Sequence, residues 1–142
     1  SNFSKNEISS FYSIPKDNIS VIYNGVSDNF RFLEKNANQQ KYILAVSSIT
    51  PHKNFTNLIK AYNCLNNSSV KLFLVGSSNM SFNNIKLDNN LNNNIIFKGR
   101  VSDQELADLY ANAICFIHPS FYEGFGIPPL EGFTAFEICS IG

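Results

Sequence analysis

Four short apolar runs recur along the chain after residue 40, and polar sequence separates each from the next. They lie at 42–46, 70–75, 95–97 and 114–118. Such nearly continuous apolar runs are typical of strands buried on both faces of a parallel sheet. Helical spacing of apolar residues over 55–65, and a capping-box pattern at Ser102–Glu105, predict helices between the strands. This alternation predicts an α/β fold: a doubly wound, Rossmann-like parallel sheet with helices on both faces.

The first 40 residues have a less regular pattern. Ser4–Glu7 has the form of a capping box and precedes apolar residues on one helical face, which predicts a short helix ending before Pro15. The apolar residues at 19–23 predict a strand. We therefore divide the chain into a helix and first strand over 1–40 and a regular β/α part over 41–142.

The most informative stretch is EGFGIPPLE, from Glu123 to Glu131. Its glycines let the backbone approach a ligand closely, and its two prolines fit a first helical turn, where a missing amide proton costs little. Such a turn presents unpaired amides and the positive end of a helix dipole, which together can bind phosphate. The flanking carboxylates accept hydrogen bonds from hydroxyl groups and repel phosphate. The pattern therefore points to a nucleotide-sugar, in which two polyol groups flank a pyrophosphate.

Taken singly, each of these residues has a structural explanation. Glycine and proline are common in turns, and a glutamate in a first helical turn often only complements the helix dipole. The order of strand, glycine-rich turn and helix favours a ligand site, because doubly wound sheets bind ligands beyond the carboxyl ends of their strands. Four residues of interest follow predicted strands in this way: Lys53, Gly76, Arg100 and Glu123.

Composition narrows the possible functions. The chain has 142 residues and 44% hydrophobic content, which fits one globular domain. Its 11 basic and 11 acidic residues give a net charge of zero, so no general attraction to nucleic acid or anionic membranes is expected. No apolar run reaches the length of a transmembrane segment, and residues 1–10 have no signal-peptide pattern, so we expect a cytoplasmic protein. Three cysteines and two histidines without ligand spacing predict no metal site.

The motifs resemble the carboxy-terminal, donor-binding half of a GT-B glycosyltransferase, from the large retaining "group 1" family that carries Glu, seven residues, then Glu. Further segments resemble the family in the same order. They are Ser4–Ile8, like its linker helix; Val21–Val26, like "IPNGVD"; Pro51–Asn54, like "PRKN"; and Phe97–Ser102, like "F-x-G-x-V-S". The resemblance implies one half of a GT-B fold, with a nucleoside-diphosphate sugar as donor substrate and no metal cofactor.

The resemblance also implies roles for individual residues. Lys53 would neutralise the donor diphosphate and Glu123 would face the transferred sugar, so these two are the predicted catalytic residues. Glu131 would bind the ribose hydroxyls. The other predicted donor-binding residues are Arg100 and Val101 beside the nucleobase, and Gly124, Phe125, Gly126 and Ile127 at the turn. His118 is predicted to be a satisfied core or strand-end histidine rather than a catalyst.

The chain departs from the family pattern at both ends. We expect the amino-terminal acceptor domain of the family to be missing from these 142 residues, which end 11 residues after Glu131. We therefore expect a domain that is incomplete at its carboxyl end. It would bind the donor for transfer to a glycan or lipid-linked acceptor but would not turn over without an acceptor domain or partner chain. Peripheral membrane contact would then belong to the full-length enzyme.

Two alternatives remain open from the residues. The chain could be a non-catalytic fragment or partner subunit with a degenerate site for a sugar nucleotide. It could also be an unrelated α/β phosphate-binding protein, in which Glu131 would not contribute to nucleotide affinity.

Overall fold

The computed structural model describes residues 1–30, 33, 36, 40–48, 50–65, 69–77 and 93–135. The helices in these residues are α1 (Asn2–Tyr12), α2 (Phe55–Cys64), α3 (Asp103–Asn112) and α4 (Ile127–Ala135). The strands are β1 (Tyr42–Val46), β2 (Lys71–Val75), β3 (Ile95–Gly99) and β4 (Cys115–Phe116). Short 3-10 turns span Lys16–Asn18, Asp28–Phe30 and Pro51–Lys53. None of the described helices has the length and apolar character that crossing a membrane requires.

The strands form one parallel sheet in the order β3-β2-β1-β4. β1 pairs along its whole length with β2, from Tyr42 opposite Lys71 to Val46 opposite Val75. On its other side β1 pairs with both residues of β4. The chain thus moves outwards from β1 to β3 and then returns to the opposite side of β1. This reversal confirms the predicted doubly wound sheet and creates a switch point between β1 and β4.

Alternate residues of β1 face opposite sides of the sheet and enter two separate hydrophobic clusters. Tyr42, Leu44 and Val46 pack in a cluster with Phe30, α3 and α4. Ala45 packs in the other cluster, with the buried face of α2. Helices therefore cover both faces of the sheet, as the continuous apolar runs predicted.

The elements predicted after residue 40 are present with shifts at their ends. Ser102 caps α3 as predicted, and its side chain accepts a hydrogen bond from the amide of Glu105 at 3.2 Å. β4 has two residues, whereas the apolar run predicted a strand over 114–118. Among the described strands β4 has a neighbour on one side only, so there is less backbone pairing to extend it. Residues 136–142 of the predicted domain lie outside the described part of the chain.

Two predictions for the first 40 residues are wrong. Residues 19–23 form no strand, and no described strand lies beside them to supply a hydrogen-bonded ladder. Helix α1 is capped by Ser1 rather than by Ser4. The Ser1 hydroxyl accepts a hydrogen bond from the amide of Ser4 at 3.2 Å and also donates to the carbonyl of Gly124 at 2.6 Å. A tertiary contact therefore helps to set where this helix begins.

Gly76 ties the carboxyl ends of three strands together. Its amide donates to the carbonyl of Gly99, at the end of β3, over 2.8 Å, and the amide of Ser47 donates to Val75 over 2.9 Å. Gly76 has a φ of +146°, and a Cβ at this position would lie 1.8 Å from the carbonyl oxygen of Ser47. Only glycine fits so close to the backbone after β1.

We predict that Gly76→Ala destabilises the chain by about 3 kcal/mol, because the methyl group must displace backbone at a φ that alanine rarely adopts. Urea unfolding followed by circular dichroism measures this change. Gly25→Ala is the matched control: nothing lies within 4 Å of its added Cβ, so a change within about 0.5 kcal/mol is expected. Equal stability of the two variants would contradict the close approach at Gly76.

Candidate functional site

The loops that follow β1 and β4 meet at the switch point of the sheet. The amide of Phe121 donates to the carbonyl of His52 over 2.9 Å. Asn54, which has a left-handed φ of 59° between the turn Pro51–Lys53 and α2, donates from its side chain to the carbonyl of Pro119 over 3.1 Å. The two loops therefore form one wall of the site. Hydrogen bonds between the loops fix the distance between the side chains of one loop and those of the other.

Lys53 and Glu123 meet across this wall. The ammonium group of Lys53 donates to Oε1 of Glu123, and the two side chains are only 14% and 26% exposed. Two neighbours of Glu123 in its own loop contact the same oxygen: His118 Nε2 and Ser120 Oγ each lie 2.8 Å from it. The structure thus joins the two predicted catalytic residues in one partly buried, hydrogen-bonded cluster.

The surroundings of Glu123 favour its ionised form. Partial burial raises the pKa of its carboxyl group, but hydrogen bonds from Lys53, Ser120 and His118 and the charge of Lys53 outweigh burial. The pKa of Glu123 therefore lies below its ordinary value. A carboxylate that stays ionised and oriented is suited to accept hydrogen bonds from ligand hydroxyl groups.

The glycine-rich turn leads into α4 as predicted. Pro128 and Pro129 are the second and third residues of α4, and Gly126 before the helix has a φ of +83°. Because prolines have no amide proton, they reduce the number of unpaired donors at this helix end. Among the described residues, no backbone carbonyl accepts from the amides of residues 124–127. The donors available to an anion are therefore those of the turn and of Ile127.

Glu131 lies one helical turn into α4 and contacts the core tyrosine of α3. Tyr110, which is fully buried, lies with its hydroxyl 3.3 Å from Oε2 of Glu131 and 3.1 Å from the carbonyl of Pro128. Burial and the charge of Asp103 raise the pKa of Glu131, although the hydrogen bond from Tyr110 opposes this. Glu123 and Glu131 therefore have opposite electrostatic environments at the two ends of one motif.

The amino-terminal segment packs on the outside of the glycine-rich turn. The ring of Tyr23 lies 5.9 Å from that of Phe125, and Phe3 of α1 makes an edge contact with Tyr122 at 5.3 Å. With the hydrogen bond from Ser1 to Gly124, these contacts join the amino-terminal segment to the turn. Phe125 is 37% exposed and Ile127 is 40% exposed, so both remain accessible.

Arg100 and Val101 lie at the far side of the sheet. Both follow β3; Arg100 is exposed, whereas Val101 packs partly against the cluster of α3 and α4. Neighbouring strands are about 4.8 Å apart, so three spacings separate the ends of β3 and β4 by roughly 14 Å. The structure therefore does not bring these two residues to the Lys53–Glu123 pair but places them along the same edge.

The family model for "Glycosyl transferases group 1" matches residues 26–138. The chain belongs to the group 1 glycosyltransferases. The O-antigen chain mannosyltransferase RfbU of Salmonella typhimurium is 35% identical over 133 residues, which are 92% of this chain and 37% of that protein. The O-antigen chain mannosyltransferase B of Escherichia coli is 30% identical over 94% of this chain and 39% of its own length. This glycosyltransferase chain thus spans well under half of the relatives that it matches.

Solved structures agree on the fold. The lipopolysaccharide outer core galactosyltransferase WaaB, in its apo form, superposes with a TM-score of 0.63 at 20% identity, over 92% of this chain and 38% of that one. A sucrose-phosphate synthase from Thermosynechococcus elongatus gives 0.69 at 20% identity, over 91% and 36%. The sheet of this group 1 glycosyltransferase therefore has the architecture of one half of a GT-B fold.

Two residues that contact the predicted glutamates were not predicted from the sequence. Ser120 contacts Glu123 and Tyr110 contacts Glu131. Serine is common in loops, and Tyr110 fits an apolar helix face. His118 is predicted to be a satisfied core or strand-end histidine; it follows β4, and its hydrogen-bond partner is Glu123. The pattern His-Pro-Ser three residues before Glu123 is the signal that could have indicated shared contacts. No group of three or more metal-ligating side chains occurs within the described ranges.

We predict that ionised Glu123 stabilises the domain. Its pKa is lower in the folded chain than in the unfolded chain, so the folded state binds fewer protons and this stability is present above about pH 4.5. Glu123→Gln should therefore be less stable than the unmodified chain at pH 7. The difference should diminish as the pH falls through the lowered pKa, and urea unfolding at several pH values measures it. A difference that grows on acidification would contradict this assignment.

For Glu131 we predict that removing the charge stabilises the domain at pH 7. Its pKa is raised in the fold, so the folded state binds more protons and stability falls as the pH rises from about 4.5 through the folded pKa. Glu131→Gln keeps an acceptor for Tyr110 and removes the charge. It should unfold at a higher temperature than the unmodified chain at pH 7, with the gain shrinking near pH 4.5. A loss of stability at pH 7 would contradict the raised pKa of Glu131.

Proposed function

We propose that this chain binds the nucleoside-diphosphate sugar in a retaining glycosyl transfer, and that turnover requires an acceptor-binding domain as well. The observation that carries the proposal is the meeting of Lys53 and Glu123 at the switch point, with Glu131 on the helix that starts beside them. A cation, a set of free amides and two carboxylates therefore line one edge of the sheet. This alternation matches the order of sugar, diphosphate and ribose in the donor.

Each part of the donor has a counterpart in this arrangement. Glu123 accepts hydrogen bonds from the sugar, while Lys53 and the amides at 124–127 bind the diphosphate as point charge and dipoles. Glu131 accepts from the ribose hydroxyls. Arg100 and Val101 lie beside the base, and their separation from the Lys53–Glu123 pair suits an extended dinucleotide-sized ligand.

The proposed chemistry needs stabilisation of the leaving group. Glycosyl transfer passes through an oxocarbenium-like state, and negative charge develops on the departing nucleoside diphosphate. Lys53 supplies positive charge at that group, and the turn amides supply hydrogen-bond donors, without a metal ion. We further propose mannose as the transferred sugar and a glycan or lipid-linked acceptor, because the similar proteins include two O-antigen chain mannosyltransferases.

Isothermal titration calorimetry tests donor binding. We predict that the chain binds at least one of GDP-mannose, UDP-glucose and ADP-glucose, and that Lys53→Ala and Glu131→Ala each weaken this binding about tenfold, as expected for losing one charged contact. Lys60→Ala is the matched control for Lys53→Ala, because the Lys60 side chain is exposed on α2. This control should bind as the unmodified chain does.

Two results would contradict the proposal. Absence of binding to all three sugar nucleotides at millimolar concentration would favour the alternative, a non-catalytic partner subunit with a degenerate site. Unchanged affinity in Glu131→Ala would instead favour an unrelated phosphate-binding protein.

A further inference from the structure

The hydrogen bonds to Glu123 are unevenly shared between its two carboxylate oxygens. Lys53, His118 and Ser120 all contact Oε1, the latter two at 2.8 Å. No donor among the described residues contacts Oε2. Three donors from three different side chains fix both the position of Oε1 and the rotation of the carboxylate. Oε2 is consequently left with its hydrogen-bonding capacity available to a ligand.

The three donors differ in how firmly the chain holds them. His118 and Ser120 belong to the same loop as Glu123, five and three residues before it, and both are partly buried. Lys53 comes from the loop after β1 and carries its ammonium group on a flexible four-carbon stem. Local donors are therefore suited to a constant contact, and Lys53 is suited to an exchangeable one.

Under the proposed function Lys53 has two possible anionic partners, the Glu123 carboxylate and the donor diphosphate. In the structure its ammonium group pairs with Glu123, yet the donor diphosphate brings stronger negative charge to the same region. If Lys53 were the only partner of Glu123, movement of Lys53 towards the diphosphate would leave the carboxylate without a hydrogen-bond donor. His118 and Ser120 also donate to Oε1, so the carboxylate keeps two donors when Lys53 moves.

We infer that His118 and Ser120 are positioning residues, which hold Oε1 of Glu123 while Lys53 turns to the diphosphate and Oε2 accepts a hydrogen bond from the sugar. This inference rests on the proposed function and adds to it the residues that orient the sugar-facing carboxylate. It follows that the two residues affect recognition of the sugar rather than of the nucleotide.

The test uses whichever of GDP-mannose, UDP-glucose and ADP-glucose binds. It compares the affinity of the chain for that sugar nucleotide with its affinity for the corresponding free nucleoside diphosphate. Ser120→Ala and His118→Phe should each lower the ratio of the two affinities at least threefold, and the double variant about tenfold. Affinity for the free diphosphate should stay within twofold in all three. His118→Gln retains an amide donor and should restore most of the ratio. Ser9→Ala, a change of the same type at a serine whose hydroxyl donates to the carbonyl of Ile14 in the amino-terminal segment, is the control.

A second measurement separates positioning from a purely structural role. With the glutamate side chains labelled with carbon-13, NMR titration of the Glu123 carboxyl should show a higher pKa in Ser120→Ala than in the unmodified chain, because a hydrogen bond to the ionised form is lost. Equal losses for sugar nucleotide and free diphosphate, or an unchanged pKa, would overturn the inference. Failure of the unmodified chain to prefer the sugar nucleotide over the free diphosphate would overturn it too, whereas failure to bind either contradicts the proposed function.

Discussion

The pairing of β1 with β4 is the interaction on which the candidate site depends. β1 also pairs with β2, so the chain reverses direction across the sheet at β1, and the loops after β1 and β4 emerge side by side. Backbone and side-chain hydrogen bonds then join those loops at His52 and Asn54. Lys53 and Glu123 are 70 residues apart in sequence. They are in contact because the pairing of β1 with β4 brings their loops together.

The two glutamates of the motif have pKa values shifted in opposite directions. Glu123 is kept ionised by the donors around it, whereas burial and Asp103 favour the protonated form of Glu131. The ionised form of Glu131 therefore lowers the stability of the fold. Such costs are common where a protein is arranged to bind a ligand rather than only to fold.

Much of the fold could be predicted from local pattern, and much of the site could not. The buried strands and the cap at Ser102 follow from the order of apolar and polar residues, because buried strands and helix ends each impose a local pattern on the sequence. The cap at Ser1 and the absence of a strand over 19–23 depend on distant partners. The same holds for Ser120 and Tyr110, whose roles appear only once their contacts with Glu123 and Glu131 are known.

The sequence by itself determined the class of fold, the family, and that Lys53, Arg100 and Glu123 follow strands, because periodicity and the order of motifs carry this information. Tertiary structure alone decided which of those residues touch. It joined Lys53 to Glu123 and left Arg100 and Val101 about three strand spacings away. The physical reason is that strand order, which is settled by packing of the whole sheet, sets the distance between loops, and no local pattern encodes that order.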